Sequence, residues 1–242
     1  MIKRSQKAVA RAHSEEKGDF AEQIPICKGI EKVMIRIALT KGRIEKQAAE
    51  LLSRCGYDMS ELAEKGRKLI FHVPEEDIEI VLAKAADVIT YVEHGVCDVG
   101  MVGADTIMEH AKSVCELLDL NFGRCKFALA GLRGGNFYDG YGHKVIASKY
   151  PHVTKTYFTE KGMDVEVVKI EGSVELAPLL SLSDAIVDIV ETGATLRENG
   201  LEVYEEIAYI STRLIVNPAS LKLKKREIDQ LIGRISEVLS RV

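Results

Sequence analysis

Carboxylates, threonines and a glycine lie close together in residues 184–196, which read Asp-Ala-Ile-Val-Asp-Ile-Val-Glu-Thr-Gly-Ala-Thr-Leu. The apolar run predicts a buried strand that passes through a Thr-Gly-x-Thr turn into a helix. Backbone N–H groups left unpaired at such a turn bind anions, and Gly193 lets the backbone approach a phosphate closely. Because the hydroxyls of Thr192 and Thr195 add donors, the turn indicates a site for one phosphomonoester that needs no lysine.

Asp188 lies at the end of the same predicted strand. Its carboxylate can accept hydrogen bonds from hydroxyls or approach a hydrated Mg²⁺ carried by a pyrophosphate. A phosphate turn beside a carboxylate suits a ribose 5-phosphate with free 2′ and 3′ hydroxyls. The alternative is structural, because short Gly/Thr turns are common: the two threonines cap a helix and Asp188 is solvated at a strand end.

Strands and helices alternate along the chain from Met34 onward. Apolar runs predict strands over 34–39, 68–73, 78–82, 99–102, 125–130, 145–147, 165–170, 185–189 and 207–216. Periodic segments predict helices over 44–55, 87–94, 151–161, 174–180 and 196–199, with Asp87 as an N-cap. This alternation is typical of an α/β fold with mainly parallel sheets.

The clearest helical pattern is at the C-terminus, where apolar residues recur every three or four positions. They are Ile228, Leu231, Ile232, Ile235, Val238, Leu239 and Val242. This stripe packs either on its own domain or on another subunit.

Composition excludes several classes of protein. Lys plus Arg number 33 and Asp plus Glu number 37, so the net charge of −4 gives no bulk attraction to nucleic acid or to an anionic membrane. No apolar run reaches the ~18–20 residues of a membrane span, and the N-terminus lacks a hydrophobic signal core, so a cytoplasmic protein is expected. The five cysteines are scattered and the histidines form no HxxxH or HExxH, which predicts free thiols and no transition metal held by the protein.

Several ordered blocks resemble the ATP phosphoribosyltransferase family, from about Met34 to the C-terminus. The signature-like block is Glu171-Gly-Ser-Val-Glu-Leu-Ala-Pro178 followed by residues 184–196. The other blocks are Ala38-Leu-Thr-Lys-Gly-Arg43, Arg67-Lys-Leu-Ile-Phe71, residues 87–95, Asp98-Val-Gly100 with Gly103 and Asp105, and Ser211-Thr-Arg-Leu-Ile-Val-Asn217.

The resemblance implies transfer of the phosphoribosyl group of phosphoribosyl pyrophosphate (PRPP) to N1 of ATP with release of pyrophosphate, the first step of histidine biosynthesis. It implies Mg²⁺ brought in with PRPP, with no metal held by the protein alone. It also implies a two-domain fold like the type II periplasmic binding proteins, with the active site in the cleft between domains. We expect an N-terminal extension over 1–33, a first domain over 34–124 plus 205–242, and a second domain over 125–204.

The resemblance also assigns roles to residues. Its basic positions near the pyrophosphate and the ATP phosphates are Lys41, Arg43, Arg67 and Lys84, of which Lys41, Arg67 and Lys84 are the candidate catalytic residues. Glu175 and Asp188 lie near the ribose, and the substrate-binding turn comprises Glu191, Thr192, Gly193, Ala194, Thr195 and Leu196. The family usually has arginine where this chain has Lys84, and a lysine cannot bind phosphate through two parallel hydrogen bonds as arginine does.

Because the chain ends at the amphipathic helix, it resembles the short form of the family. The resemblance then implies a homodimer that assembles with a regulatory subunit similar to histidyl-tRNA synthetase, with inhibition by histidine only in the complex. Two other functions stay open at this point: a phosphoribosyltransferase for another base, and a solute-binding protein of similar fold without catalysis.

Overall fold

The computed structural model describes residues 34–73, 76–140 and 142–241, so the expected extension over 1–33 lies outside the described residues. The strands in this part are β1 Ile35–Thr40, β2 Ile70–Val73, β3 Ile78–Ala83, β4 Val99–Gly103, β5 Cys115–Asp119, β6 Cys125–Leu132, β7 Lys144–Ser148, β8 Val165–Lys169, β9 Ala185–Val190, β10 Leu201–Ile210 and β11 Thr212–Val216. The helices are α1 Arg43–Arg54, α2 Ser60–Ala63, α3 Ala85–Glu93, α4 Ala104–His110, α5 Pro151–Glu160, α6 Leu176–Leu179, α7 Ala194–Glu198, α8 Pro218–Leu223 and α9 Lys225–Ser240.

The strands form two sheets, and each sheet with its helices is called a lobe here. The first sheet has the order β2-β3-β1-β4-β11-β5, and the second has the order β10-β6-β9-β7-β8. Parallel pairs join β1 to β3 and β4, and β7 to β8 and β9, while the other pairs are antiparallel. The α/β class is confirmed, but the expectation of mainly parallel sheets is wrong. Alternating elements predict strands without fixing the direction in which each strand joins its sheet.

The chain passes between the lobes twice. The first crossover is 120–124, between β5 and β6, and the second is Ser211, between β10 and β11. The first crossover is hydrogen-bonded to Thr212, the residue after Ser211, because Leu120 N donates to Thr212 O and Thr212 N donates to Phe122 O, both at 2.9 Å.

The predicted single strand over 207–216 is wrong, because Ser211 divides it between two sheets. Ile210 is buried in the core of the second lobe and Leu214 in that of the first. Each half has its own core to pack against, so the apolar pattern continues across the break. The domain limits stay a prediction, although residues 205–210 lie in a strand of the second sheet.

Helix α9 packs on its own lobe. Ile228, Leu231, Ile235 and Val238 are buried in the same cluster as Leu51 of α1, so the first of the two alternatives for the C-terminal stripe holds. Val242 lies outside the described residues. Within the described ranges, no helix is long and apolar enough to cross a membrane.

Candidate active site

The Thr-Gly-x-Thr turn follows β9 directly. Gly193 has φ +70°, a left-handed conformation that suits glycine, and it precedes α7. Arg197 Nη1 donates to Thr192 O at 2.8 Å, and Ala194 N donates to Thr192 Oγ1 at 3.3 Å. These two hydrogen bonds stabilise the conformation of the turn. Helix α7 starts at Ala194 and has only five residues, so backbone N–H groups and hydroxyls of the turn, more than a long helix dipole, favour an anion here.

A cavity of about 280 Å³ lies over this turn. It brings together every residue that the sequence predicts to bind substrate: Arg43, Glu175, Asp188, Glu191, Thr192, Gly193, Ala194, Thr195 and Leu196. Cys125, Ile189 and Val190 complete its lining. Since Arg43 belongs to the first lobe and the turn to the second, both lobes line the cavity.

Besides Glu191, the cavity is lined by two further carboxylates. Asp188 lies in β9, and Glu175 immediately precedes α6. Burial raises the pKa of the Asp188 carboxyl, and the negative charge of Glu175 raises it further. A backbone hydrogen bond from Ile189 and the charge of Lys149 offset part of this rise. Within the described part of the chain neither carboxylate has an ion-pair partner, so a cationic or hydroxyl-bearing ligand would be favoured on this side of the cavity.

Arg43 connects the lobes across the cavity. Its Nη1 donates to Glu191 Oε2 at 2.6 Å, and both side chains are more than half exposed. The hydrogen bond and the charge of Glu191 raise the pKa of Arg43, which stays a cation at all physiological pH values. The pair therefore holds the Arg43 guanidinium beside the Thr-Gly-x-Thr turn, with its charge balanced by Glu191.

Lys41 lines a second cavity, of about 270 Å³, which shares Arg43, Cys125 and Ile189 with the first. The two cavities are therefore adjacent parts of one cleft. Gly103 and Asp105, at the end of β4 and the start of α4, line this second cavity too.

Arg67 and Lys84 line neither of these two cavities, but the backbone brings them to the same sheet edge as Lys41. Lys41 N donates to Ala83 O at 2.9 Å, which places Lys84 beside Lys41 where β1 and β3 end. Because β2 runs antiparallel to β3 and Leu82 N donates to Leu69 O, Arg67 lies at this edge too. All three side chains are exposed, and none has an ion-pair partner among the described residues.

The N-cap of α3 is Lys84. The prediction that Asp87 is this N-cap is therefore wrong, because Asp87 lies inside the first turn of the helix.

Sequence reasoning gave no role to three residues at the cleft. Asp105 accepts a hydrogen bond from Tyr150 Oη at 3.1 Å, and Tyr150 is buried in the second lobe. Cys125 lines both cavities, and burial raises the pKa of its thiol to about 11, so it is neutral at physiological pH and a poor nucleophile. Asp105 belongs to one of the sequence blocks that resemble the family. Its hydrogen bond with Tyr150, however, forms only because the two lobes lie against each other.

Helix α4 makes a second contact between lobes. The Glu109 carboxylate accepts hydrogen bonds from His152 N at 3.1 Å and Val153 N at 3.0 Å, so it caps the start of α5. A residue of the first lobe thereby satisfies backbone donors of the second.

The expected free thiols agree with the four cysteines that the structure describes, which form no disulfide. No group of three or more His, Cys, Asp or Glu side chains in the described ranges could hold a metal ion.

Fold and site together define a class: a two-lobed α/β protein whose cleft holds a Thr-Gly-x-Thr turn suited to an anion and the cationic side chains of Arg43 and Lys41. The family model of ATP phosphoribosyltransferase (HisG) matches residues 84–237. The chain belongs to the ATP phosphoribosyltransferase family.

Relatives support this assignment over most of the chain. The ATP phosphoribosyltransferase of Clostridium kluyveri is 59% identical over 208 residues, covering 86% of this chain and 95% of that protein. The enzyme of the same name from Clostridium acetobutylicum is 56% identical over 207 residues, covering 86% and 96%. That of Bacillus cereus is 56% identical over 207 residues, covering 85% and 98%.

Solved structures agree with the fold. The ATP phosphoribosyl transferase (HisG:HisZ) complex from Thermotoga maritima contains a chain with TM-score 0.74 and 34% identity, covering 86% of this chain and 100% of that one. The periplasmic aliphatic sulphonate binding protein SsuA from Escherichia coli has TM-score 0.54 at 15% identity, covering 86% and 72%. The likeness to SsuA concerns the fold alone, and it confirms the periplasmic-binding-protein-like type II architecture.

Proposed function

We propose that this chain transfers the phosphoribosyl group of PRPP to N1 of the adenine of ATP and releases pyrophosphate, the first step of histidine biosynthesis. Family membership supports this reaction. The structural observation that carries it is the cavity in which the phosphate turn, the carboxylates of Asp188 and Glu175, and the Arg43–Glu191 pair meet.

The chemistry requires charge stabilisation more than a base. Breaking the bond between C1′ and the pyrophosphate builds positive charge on the ribose and negative charge on the leaving group. N1 of adenine is unprotonated at neutral pH and attacks with its own lone pair, so no residue has to remove a proton from it. The neutral Cys125 thiol is consistent with a direct transfer that needs no protein nucleophile.

The 5′-phosphate of PRPP binds at the turn from Thr192 to Leu196. The Gly193 backbone and the two threonine hydroxyls supply hydrogen-bond donors, and Arg43 supplies a charge from the opposite lobe. In the free chain the Arg43 guanidinium donates to the Glu191 carboxylate. A bound phosphate would therefore either share the guanidinium with Glu191 or replace Glu191 as its partner.

The ribose lies over Asp188 and Glu175. Carboxylate oxygens accept hydrogen bonds from the 2′ and 3′ hydroxyls, and their negative charge favours the cationic ribose of the transition state. The raised pKa of Asp188 fits this role, because the carboxyl is held where its charge is poorly solvated until a ligand contacts it.

The leaving pyrophosphate and the ATP phosphates face the cationic edge formed by Lys41, Arg67 and Lys84. These side chains are exposed and free of ion pairs within the described residues, so their charges are available to phosphate oxygens. Closure of the lobes around both substrates excludes water from the ribose cation, which water would otherwise hydrolyse.

Mg²⁺ enters with PRPP in this proposal. The cavity fits it, because Asp188 and Glu175 offer hard oxygen ligands without an ion-pair partner in the described part of the chain. Asp188 is the residue that would contact the water shell of the ion. When bound, Mg²⁺ would neutralise charge on the departing pyrophosphate.

The expected assembly is a homodimer bound to a regulatory subunit similar to histidyl-tRNA synthetase, in the cytoplasm. The two-component Thermotoga maritima complex supports a hetero-oligomer. Light scattering on the co-expressed proteins tests the assembly, and histidine should inhibit the complex but not the isolated chain. Inhibition of the isolated chain by histidine would contradict this arrangement.

The reaction is tested by incubating the chain, with its regulatory subunit, with PRPP, Mg²⁺ and either ATP or one of the free nucleobases. We expect the absorbance of N1-phosphoribosyl-ATP with ATP alone. Product from another base would favour a different phosphoribosyltransferase, and tight PRPP binding without any product would favour a binding protein.

A further inference from the structure

A larger cavity, of about 550 Å³, lies outside the active-site cleft. Its apolar wall comprises Leu51 of α1, Leu120 and Phe122 of the first crossover, and Leu239 of α9. It shares no lining residue with the two cleft cavities. Its volume is in the range of small-molecule sites, which are typically ~300–1,000 Å³.

One face of α1 gives this cavity opposite charges. Gln47, Glu50, Leu51 and Arg54 follow the three-and-four spacing that puts side chains on one side of a helix. Glu50 and Arg54 are four residues apart, the spacing at which such charges usually pair. In the described part of the chain, however, neither of them has an ion-pair partner. Both charges are exposed and free to meet a ligand.

The remaining polar groups are mainly donors. Arg124 Nη2 donates to Asn121 Oδ1 at 3.1 Å, which leaves the Asn121 amide nitrogen free to donate. Gln47 also lines the cavity, and its Oε1 is buried without a hydrogen-bond partner among the described residues. Among the residues that line the cavity, Arg54 and Arg124 carry positive charge, Gln47 and Asn121 carry amides, and Glu50 carries the one carboxylate.

We propose that this cavity binds a free α-amino acid with an apolar or aromatic side chain. The carboxylate of the ligand pairs with Arg54 and Arg124, its ammonium pairs with Glu50, and its side chain packs on Phe122 and Leu239. An α-amino acid carries its two charges close together, as Glu50 and Arg54 do on neighbouring turns of one helix. A purely anionic ligand would leave Glu50 facing a like charge, and a purely cationic one would leave both arginines unused.

The site adjoins elements that also line the cleft. Helix α1 begins with Arg43, which lines both cleft cavities, and Gly123 of the same crossover lines one of them. The proposal concerns binding and does not depend on the reaction proposed above.

The test is isothermal titration calorimetry of the full chain with L-phenylalanine, phenethylamine and 3-phenylpropionate. We expect saturable binding of L-phenylalanine with a dissociation constant of about 1 mM, and weaker binding of the two compounds that each lack one charge. Arg54→Gln should weaken L-phenylalanine and 3-phenylpropionate by about tenfold. Glu50→Gln should weaken L-phenylalanine by about as much and leave 3-phenylpropionate unchanged or tighter.

Arg226→Gln is the matched control, because it removes an exposed arginine of α9 that does not line the cavity. It should leave all three affinities unchanged. The proposal is overturned if L-phenylalanine does not bind up to its solubility limit, if binding survives both α1 substitutions, or if Arg226→Gln weakens it as much as Arg54→Gln does. Circular dichroism of each variant establishes that it is folded.

Discussion

Arg43, the first residue of α1, donates to the carboxylate of Glu191, the residue before the phosphate turn, at 2.6 Å. The two residues are 148 positions apart in sequence and belong to different lobes. Solvent surrounds both side chains, so the pair adds little to stability, on the scale of ~0–1 kcal/mol for exposed ion pairs. Its importance is positional, because it holds a cation at the mouth of the cavity.

Arg43→Gln should therefore separate activity from stability. We expect kcat/KM for PRPP to fall by about tenfold or more because a charged phosphate contact is lost, while Tm changes by less than about 3 °C. Steady-state kinetics and thermal unfolding measure the two effects. Arg241→Gln is the control, since Arg241 also forms an exposed ion pair, with Glu237, outside the cleft. Equal kinetic losses in both variants would contradict the role of Arg43.

Gly193→Ala should weaken PRPP binding. Gly193 has φ +70°, and a Cβ there would lie 3.1 Å from Arg197 Nη1, the atom that holds Thr192 O. We expect a loss of about 1 kcal/mol in unfolding free energy from the left-handed backbone, and a rise in KM for PRPP of about tenfold.

Gly200→Ala controls for the backbone strain. Gly200 has φ +72°, and a Cβ there would meet nothing within 4 Å, so it should lose similar stability and keep its KM. If Gly200→Ala raised KM equally, global destabilisation and not the turn would explain the result of Gly193→Ala.

Asp188→Asn should stabilise the protein while reducing activity. The folded-state pKa of Asp188 is raised, so its ionised form opposes folding, fully so above that pKa. The amide removes this cost, and we expect a gain of about 1 kcal/mol at neutral pH. Denaturant unfolding at several pH values checks the sign.

The advantage of the Asp188→Asn variant should shrink as pH falls through the raised pKa, because the parent carboxyl then becomes protonated and its cost disappears. Asp229→Asn, an exposed position that pairs with Lys225, should give no such gain. A stability gain for Asp188→Asn that stays constant down to strongly acidic pH would count against a buried charge at this position.

Lys84→Ala should lower turnover more than substrate affinity, because the proposal gives this ammonium to the charge that develops on the leaving group. Stability should hardly change, since the side chain is exposed and has no ion-pair partner among the described residues. Lys84→Arg, which introduces the arginine that the resemblance to the family places here, should retain or increase kcat. Unchanged kcat in Lys84→Ala would remove Lys84 from the mechanism.

Local patterns predicted the Thr-Gly-x-Thr turn and the strand before it well. The apolar run of β9, its terminal carboxylates and the glycine all lie within thirteen residues, so the strand, the turn and the following helix could be read from sequence. The same locality explains why the cavity gathers the predicted substrate-binding residues once Arg43 is brought in by the first lobe.

Contacts that depend on how the lobes meet could not be predicted. The hydrogen bond from Tyr150 to Asp105 joins residues 45 positions apart in sequence. Glu109 of the first lobe caps α5 of the second, and no local sequence pattern indicates that these two elements meet. The break at Ser211 was missed for a related reason, because Ile210 and Leu214 are equally apolar but are buried in different cores. The absence of an ion pair between Glu50 and Arg54 could not be predicted either, since their spacing of four residues on a helix favours such a pair.

The most direct measurement is the identity of the bond that the enzyme makes. PRPP labelled with the NMR-active carbon isotope at C1′ is incubated with ATP labelled with the NMR-active nitrogen isotope at N1, Mg²⁺, the chain and its regulatory subunit. The proposed reaction predicts a one-bond carbon–nitrogen coupling between C1′ and N1 in the product, and none when the chain is left out. Coupling of C1′ to a different nitrogen, or hydrolysed PRPP with unmodified ATP, would contradict it.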